Sequence, residues 1–170
     1  RSLQANIEQL EAGRQIATYR EDGFTAMRRF LPPPSRRALL LCDPSYEIKT
    51  DYGRVAELID DCLRRFATGT YIVWHPIIAR QDAHQLPRRL KTLAERAGRP
   101  WLHATLTVKS ARQGQGEQSL QRTSGLPASG MFVVNPPHTL HAALATALPQ
   151  MAALLGQDRN AAYTLERHGH

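Results

Sequence analysis

The chain has 170 residues, about the length of one domain, and 42% of them are apolar, which supports a single hydrophobic core and excludes a disordered tail. Lys and Arg number 22 against 15 Asp and Glu, a formal charge of +7 that favours a polyanionic partner. Two cysteines exclude a disulfide-stapled scaffold and point to a reducing compartment, and no apolar run is long enough for a membrane helix.

The first residue is Arg1, and Ser2 to Glu11 already carries a helical pattern, with Leu3, Ile7 and Leu10 on one face. A chain that opens inside an element is expected to be a fragment. The helix over 2–12 stops at Gly13. QIATYR (15–20) reads as a short strand, and 23–30 as a short helix with Asp22 as N-cap. LPPP (31–34) breaks that helix. ALLLC (38–42) is an unbroken apolar run, the mark of a strand buried on both faces of a parallel sheet. Residues 52–66 form an amphipathic helix with Val55, Leu58, Ile59, Cys62, Leu63 and Phe66 inward. TYIVWH (70–75) is a strand, 80–97 a helix that Pro87 kinks or restarts, and 101–109 a further strand. The Gly/Gln/Ser-rich stretch 110–129 reads as a mobile loop. MFVVN (131–135) is the last strand expected, 140–155 the last helix, and 157–170 a polar tail outside a domain spanning 1–156.

Strands separated by helices predict βαβ crossovers and a three-layer α/β sandwich. The last two strands lack a helix between them and are expected to pair antiparallel. A mostly parallel sheet finished by one antiparallel hairpin marks the Rossmann-like, methyltransferase variant of the doubly wound fold. Ligands in such sheets lie beyond the carboxyl ends of the strands.

Asp43-Pro44-Ser45-Tyr46 occupies that position. An exocyclic amine on a purine or pyrimidine is a poor nucleophile because its lone pair is delocalised into the ring. A carboxylate and a backbone carbonyl that both accept from the amino group localise the pair. Pro44 supplies a carbonyl with a fixed φ and no competing N–H. An adjacent aromatic, Tyr46, could stack on a base taken out of its helix, worth roughly 1–3 kcal/mol. The plain alternative is an Asp-Pro turn closing a strand.

Asn135-Pro136-Pro137-His138 is closer in letters to an amino-methylating turn, but it follows the antiparallel strand and reads as a strand end. Asp22-Gly23-Phe24 could accept from the adenine amino group of a nucleotide cofactor, with Phe24 on the ring face, or could simply cap a helix. His138 and His141 have no third ligand at zinc spacing, so no metal is expected. Cys42 and Cys62 read as core, and Gly114-Gln115-Gly116 is not a phosphate-binding turn. Among the basic residues, Lys109, Arg112 and Arg122 are the best candidates for RNA phosphates; helix arginines such as Arg64, Arg65, Arg88 and Arg89 read as solvated faces.

Three segments in order, LPPPSRRALLLCDPSYEIKTDYGRV, RRFATGTYIVWHP and ASGMFVVNPP, resemble the bacterial 23S ribosomal RNA adenine-N6 methyltransferase family, the RlmJ family, from about Leu3 to Leu155. The resemblance implies a class I methyltransferase fold, S-adenosylmethionine as cofactor and an adenine of 23S rRNA as substrate, in a cytoplasmic protein with no membrane contact and no demand for more than a monomer. It assigns Asp43, Pro44 and Tyr46 to the catalytic turn: Asp43 as acceptor for the amino group and its proton, Pro44 as carbonyl, Tyr46 as stacking surface. It assigns Asp22 and Gly23 to the cofactor's adenine and puts Asp43 near the methyl donor. Two departures matter. Ser45 stands where the family has a second proline, so the turn should be looser and activity lower. The strands and Gly-rich loop expected before residue 20 are not found, so the strand at 38–42 should have an open edge and the chain alone should bind the cofactor weakly. The same turn chemistry would serve a DNA adenine-N6 methyltransferase, and a non-catalytic RNA-binding module is the alternative outside enzymes.

Overall fold

A computed structural model describes residues 3–110 and 125–169. The elements run α1 (Leu3–Glu8), α2 (Gly23–Phe30), β1 (Leu39–Cys42), α3 (Thr50–Arg65), β2 (Thr70–Pro76), α4 (Gln81–Arg96), β3 (Trp101–Thr107), β4 (Ala128–Val134), α5 (Leu140–Leu155) and β5 (Ala162–His168). The sheet has the order β1-β2-β4-β3-β5.

The main core lies where α3 and α4 press their apolar stripes on one sheet face. Val55, Ile59 and Cys62 of α3 and Leu86, Leu90 and Ala94 of α4 meet Tyr71 and Val73 of β2 and Phe132 and Val134 of β4. Period 2 in the strands and about 3.6 in the helices bring these side chains to one layer. A smaller cluster on the opposite face joins Leu102, Ala104 and Val133 to Leu148 of α5. Helices therefore cover both faces, as the three-layer expectation requires.

Several expectations are corrected. Only β1 and β2 pair in parallel; β2·β4, β3·β4 and β3·β5 are antiparallel, so the sheet is not mostly parallel within this chain. The hairpin of β3 and β4 is antiparallel as expected. β1 is not buried on both faces: it is an edge strand, with Leu39 64% and Leu41 55% exposed while Cys42 is buried under the helices. The open edge agrees with the expectation for the 38–42 strand. QIATYR forms no strand, because no partner strand lies beside it to take its backbone bonds, and the first helix is confined to Leu3–Glu8. Pro87 does not start the helix afresh but lies inside α4, flanked by the buried Leu86 and Leu90 that hold both turns to the core. β4 is not the last strand. Within the polar stretch 157–170, residues 162–168 pair with β3 through backbone bonds that need no apolar pattern. Of the expected mobile loop, 111–124 lies outside the described residues, together with Gly114-Gln115-Gly116, Arg112 and Arg122.

Asn135-Pro136-Pro137 closes β4, as its position predicts. Asn135 has φ +52°, and its Nδ2 donates to the carbonyls of Ala67 (2.9 Å) and Gly69 (2.7 Å), tying the end of β4 to the start of β2. No helix of the described residues is long and apolar enough to cross a membrane.

Candidate active site at the end of the first strand

β1 ends at Cys42, and the next two residues, Asp43 and Pro44, stand on the rim of a cavity of about 300 Å³. Leu40, Leu41 and Cys42 form its strand wall, Leu58 comes from α3, and Gly23, Phe24 and Met27 come from the first turns of α2. The two sequence-predicted groups, 20 residues apart in the chain, thus meet at one cavity. Its walls are apolar and aromatic, with Asp43 the one acidic residue among them, a composition that accepts a flat heterocycle.

Asp43 is exposed and Pro44 half-buried. Cys42 beside them is buried, and burial, then the charge of Asp43, pushes its thiol up to about 11, so it stays neutral and is no nucleophile. Both cysteines are free.

Tyr46 departs from the expectation. It is 3% exposed, with its ring 4.8 Å from that of Tyr52 and 6.1 Å from that of Trp74. Its hydroxyl donates to the Trp74 carbonyl at 2.6 Å, and burial raises its pKa. Its backbone has φ +55°, the left-handed region, and Arg80 Nη1 donates to its carbonyl at 3.4 Å. Tyr46 therefore pins the turn to β2 and offers no open ring face in this conformation.

Asp22 caps α2: Oδ1 accepts from the backbone N–H of Phe24 (2.8 Å) and of Thr25 (3.2 Å). Its Oδ2 accepts from Arg54 Nη2 at 2.5 Å. That hydrogen bond, with the two backbone donors, holds the carboxyl below its ordinary range. Asp22 does not itself line the cavity, whereas Gly23 and Phe24 do. Gly23 has open space where a Cβ would stand. Arg54 lies 32 residues from Asp22, and no local pattern signals the pairing.

Among the described residues no three His, Cys, Asp or Glu side chains gather as a metal site would. The residues present fit the adenosine end of a nucleoside cofactor, with an aromatic ring, aliphatic walls and polar groups at the rim. No glycine-rich phosphate or methionine cradle adjoins them among the described residues.

A family model described as "Ribosomal RNA large subunit methyltransferase D, RlmJ" matches residues 3–167. Ribosomal RNA large subunit methyltransferase J of Haemophilus influenzae is 38% identical over 146 residues, 86% of this chain and 48% of the relative. The Escherichia coli protein of the same name is 38% identical over 134 residues, 79% of this chain and 44% of the relative. The chain thus spans about half the length of these curated relatives. In fold it is similar to a crystal structure of a Legionella pneumophila protein, with a TM-score of 0.72 and 24% identity, covering 86% of this chain and 49% of that one.

Proposed function

The chain belongs to the family of ribosomal RNA large subunit methyltransferase J, and on that premise we propose that the full-length gene product methylates the N6 amino group of an adenine in 23S rRNA. The observation that carries the reading is the meeting of Asp43 and Pro44 with Gly23 and Phe24 around one cavity at the carboxyl end of β1. The finer fold that goes with it is the Rossmann-like class I methyltransferase fold, with β1, β2 and β3 running in one direction and β4 inserted antiparallel between β2 and β3. The protein acts as a cytoplasmic monomer on this reading.

S-adenosylmethionine, when bound, supplies an electrophilic methyl on sulfur. The chain's own residues prepare the nucleophile. The Asp43 carboxylate and the Pro44 carbonyl accept the two amino hydrogens of the adenine, which draws the nitrogen lone pair out of the ring. The methyl would pass to the amino nitrogen so prepared, its bond to sulfur breaking as the bond to nitrogen forms. The nitrogen's surplus proton passes to Asp43, which neutralises the charge that would otherwise build on nitrogen. Gly23 and Phe24 take the adenosine end of the cofactor, and Asp22 stands beside them as an ionised acceptor. Tyr46 stacks on the target base only if its ring leaves the seat between Tyr52 and Trp74; held there, it fixes the turn.

The test is methyl transfer to unmodified 23S rRNA by the full-length gene product. Asp43→Asn keeps the size and one acceptor oxygen but removes the proton acceptor. It should cut the single-turnover rate by about 10²- to 10⁴-fold while leaving RNA affinity near wild type. Transfer that survives Asp43→Asn, or a wild-type protein that methylates DNA but not rRNA, would overturn the reading.

A further inference from the structure

We propose that Arg54 is a positioning residue for the cofactor's adenosine end, acting from α3 on Asp22, the N-cap of α2, and on Phe24, which lines the cavity; this rests on the reading above.

Arg54 is in the second turn of α3, the helix that follows the Asp43 turn. One guanidinium reaches both residues. Nη2 meets Asp22 Oδ2 at 2.5 Å, and Cζ lies 4.0 Å from the centroid of the Phe24 ring. Nη1 is 4.0 Å from Oδ1 of the buried Asp51, which anchors the other side of the fork to α3 itself. A planar cation with five donors can hold a carboxylate edge-on and an aromatic face-on at once.

The consequence falls on the cavity. Phe24 lines it, and Asp22 sets where the first turn of α2 begins. Asp22 already spends Oδ1 on the cap. Its Oδ2 keeps a second lone pair beside the one given to Arg54, and the ion pair keeps that oxygen charged. Arg54 itself is absent from the cavity wall. It therefore acts through Asp22 and Phe24 and ties the start of α2 to α3.

The experiment is calorimetric titration of the full-length gene product with S-adenosylmethionine, beside single-turnover transfer at saturating cofactor and RNA. Arg54→Met keeps the aliphatic stem and removes the charge and all donors. Its Kd for the cofactor should rise about tenfold, since an exposed ion pair and a cation–π contact are lost together. Arg54→Lys keeps a cation within reach and should stay within about threefold of wild type. The rate at saturation and the Kd for 23S rRNA should stay within about twofold in both, because neither base nor phosphate is touched. An unchanged cofactor Kd in Arg54→Met overturns the inference, as does a weakened RNA Kd with cofactor binding intact, which would make Arg54 an RNA contact. If Arg54→Met melts well below wild type, Arg54→Gln takes its place with the same criterion. A wild-type protein that binds the cofactor but methylates no rRNA overturns the functional reading and leaves the binding result to judge Arg54.

Discussion

His75 of β2 and His103 of β3 meet Nε2 to Nε2 at 3.0 Å across the intervening strand β4, in a site almost closed to water. One ring donates and the other accepts, so the contact exists only while both are neutral or one proton is shared. Burial lowers the pKa of both; for His103 burial, then His75 and Lys91, bring it down to about 4. A histidine whose folded pKa is depressed adds stability that is complete above its unfolded value and is lost as pH falls toward the folded one. The unfolded chain binds the extra proton in that window, from about 6.5 to about 4 for His103. Urea unfolding should therefore show stability falling steadily from pH 7 to pH 5. His103→Phe should remove up to about 1.4 kcal/mol per pH unit of that slope. Equal slopes in the two proteins would show that His103 binds its proton alike folded and unfolded. The range stops at pH 5 because Asp22, Asp61 and Glu166 have lowered pKa values and add their own losses below it.

The same crossing fixes Gly130 of β4. A Cβ built there would overlap His75 Nε2 and stand 3.1 Å from His103 Nε2. His75 is 1% exposed and has no room to swing aside. Gly130→Ala should destabilise the fold by about 1–3 kcal/mol, the usual cost of overpacking. Alanine ordinarily suits a strand no worse than glycine, so a neutral or stabilising result in thermal unfolding would mean the histidines repack freely.

Which parts of the molecule were legible follows from where the information lies. The α3 stripe Val55, Leu58, Ile59, Cys62 and Leu63 announces itself because one helix face carries the whole signal, and all five are buried. Asp22 as a cap and Asp43 after a strand are likewise local patterns. β5 is illegible because its pairing to β3 needs no apolar pattern; among its residues only Leu165 is even half-buried, so AYTLERH shows no apolar alternation. QIATYR has strand-like residues but no neighbour, and pairing is not a local property. The Tyr46–Trp74 and Asp22–Arg54 contacts span 28 and 32 residues and leave no trace in spacing.

Tyr46→Phe separates the two roles of that side chain. The ring, and with it any stacking, is retained, while the hydrogen bond to the Trp74 carbonyl is lost. The carbonyl belongs to a sheet strand, and Tyr46 holds a left-handed backbone that a non-glycine residue adopts only under constraint. The variant should lose about 0.5–1.5 kcal/mol in urea unfolding. Wild-type stability would mean that the ring packing against Tyr52 and Trp74 alone pins the turn.

Ser45 lies between Pro44 and Tyr46 in the turn, and its surroundings say which way a proline there should act. Ser45 is exposed, and its N–H makes no hydrogen bond among the described residues, so proline would remove no donor in use. Tyr46, next in sequence, is anchored to β2, and Cys42, before the turn, is anchored in the core. Looseness is thus confined to the stretch that carries the Asp43 carboxylate and the Pro44 carbonyl. Proline at 45 would fix its own φ and hold Pro44 in extended backbone, where the carbonyl direction is set. If the pre-ordering is worth the usual 0.4–1 kcal/mol and is felt in the transition state, Ser45→Pro should raise the single-turnover rate by roughly two- to fivefold. Thermal unfolding of the same variant should move upward. A higher melting temperature with an equal or lower rate would show that serine already holds the acceptors in place, and that the freedom at 45 serves substrate entry instead.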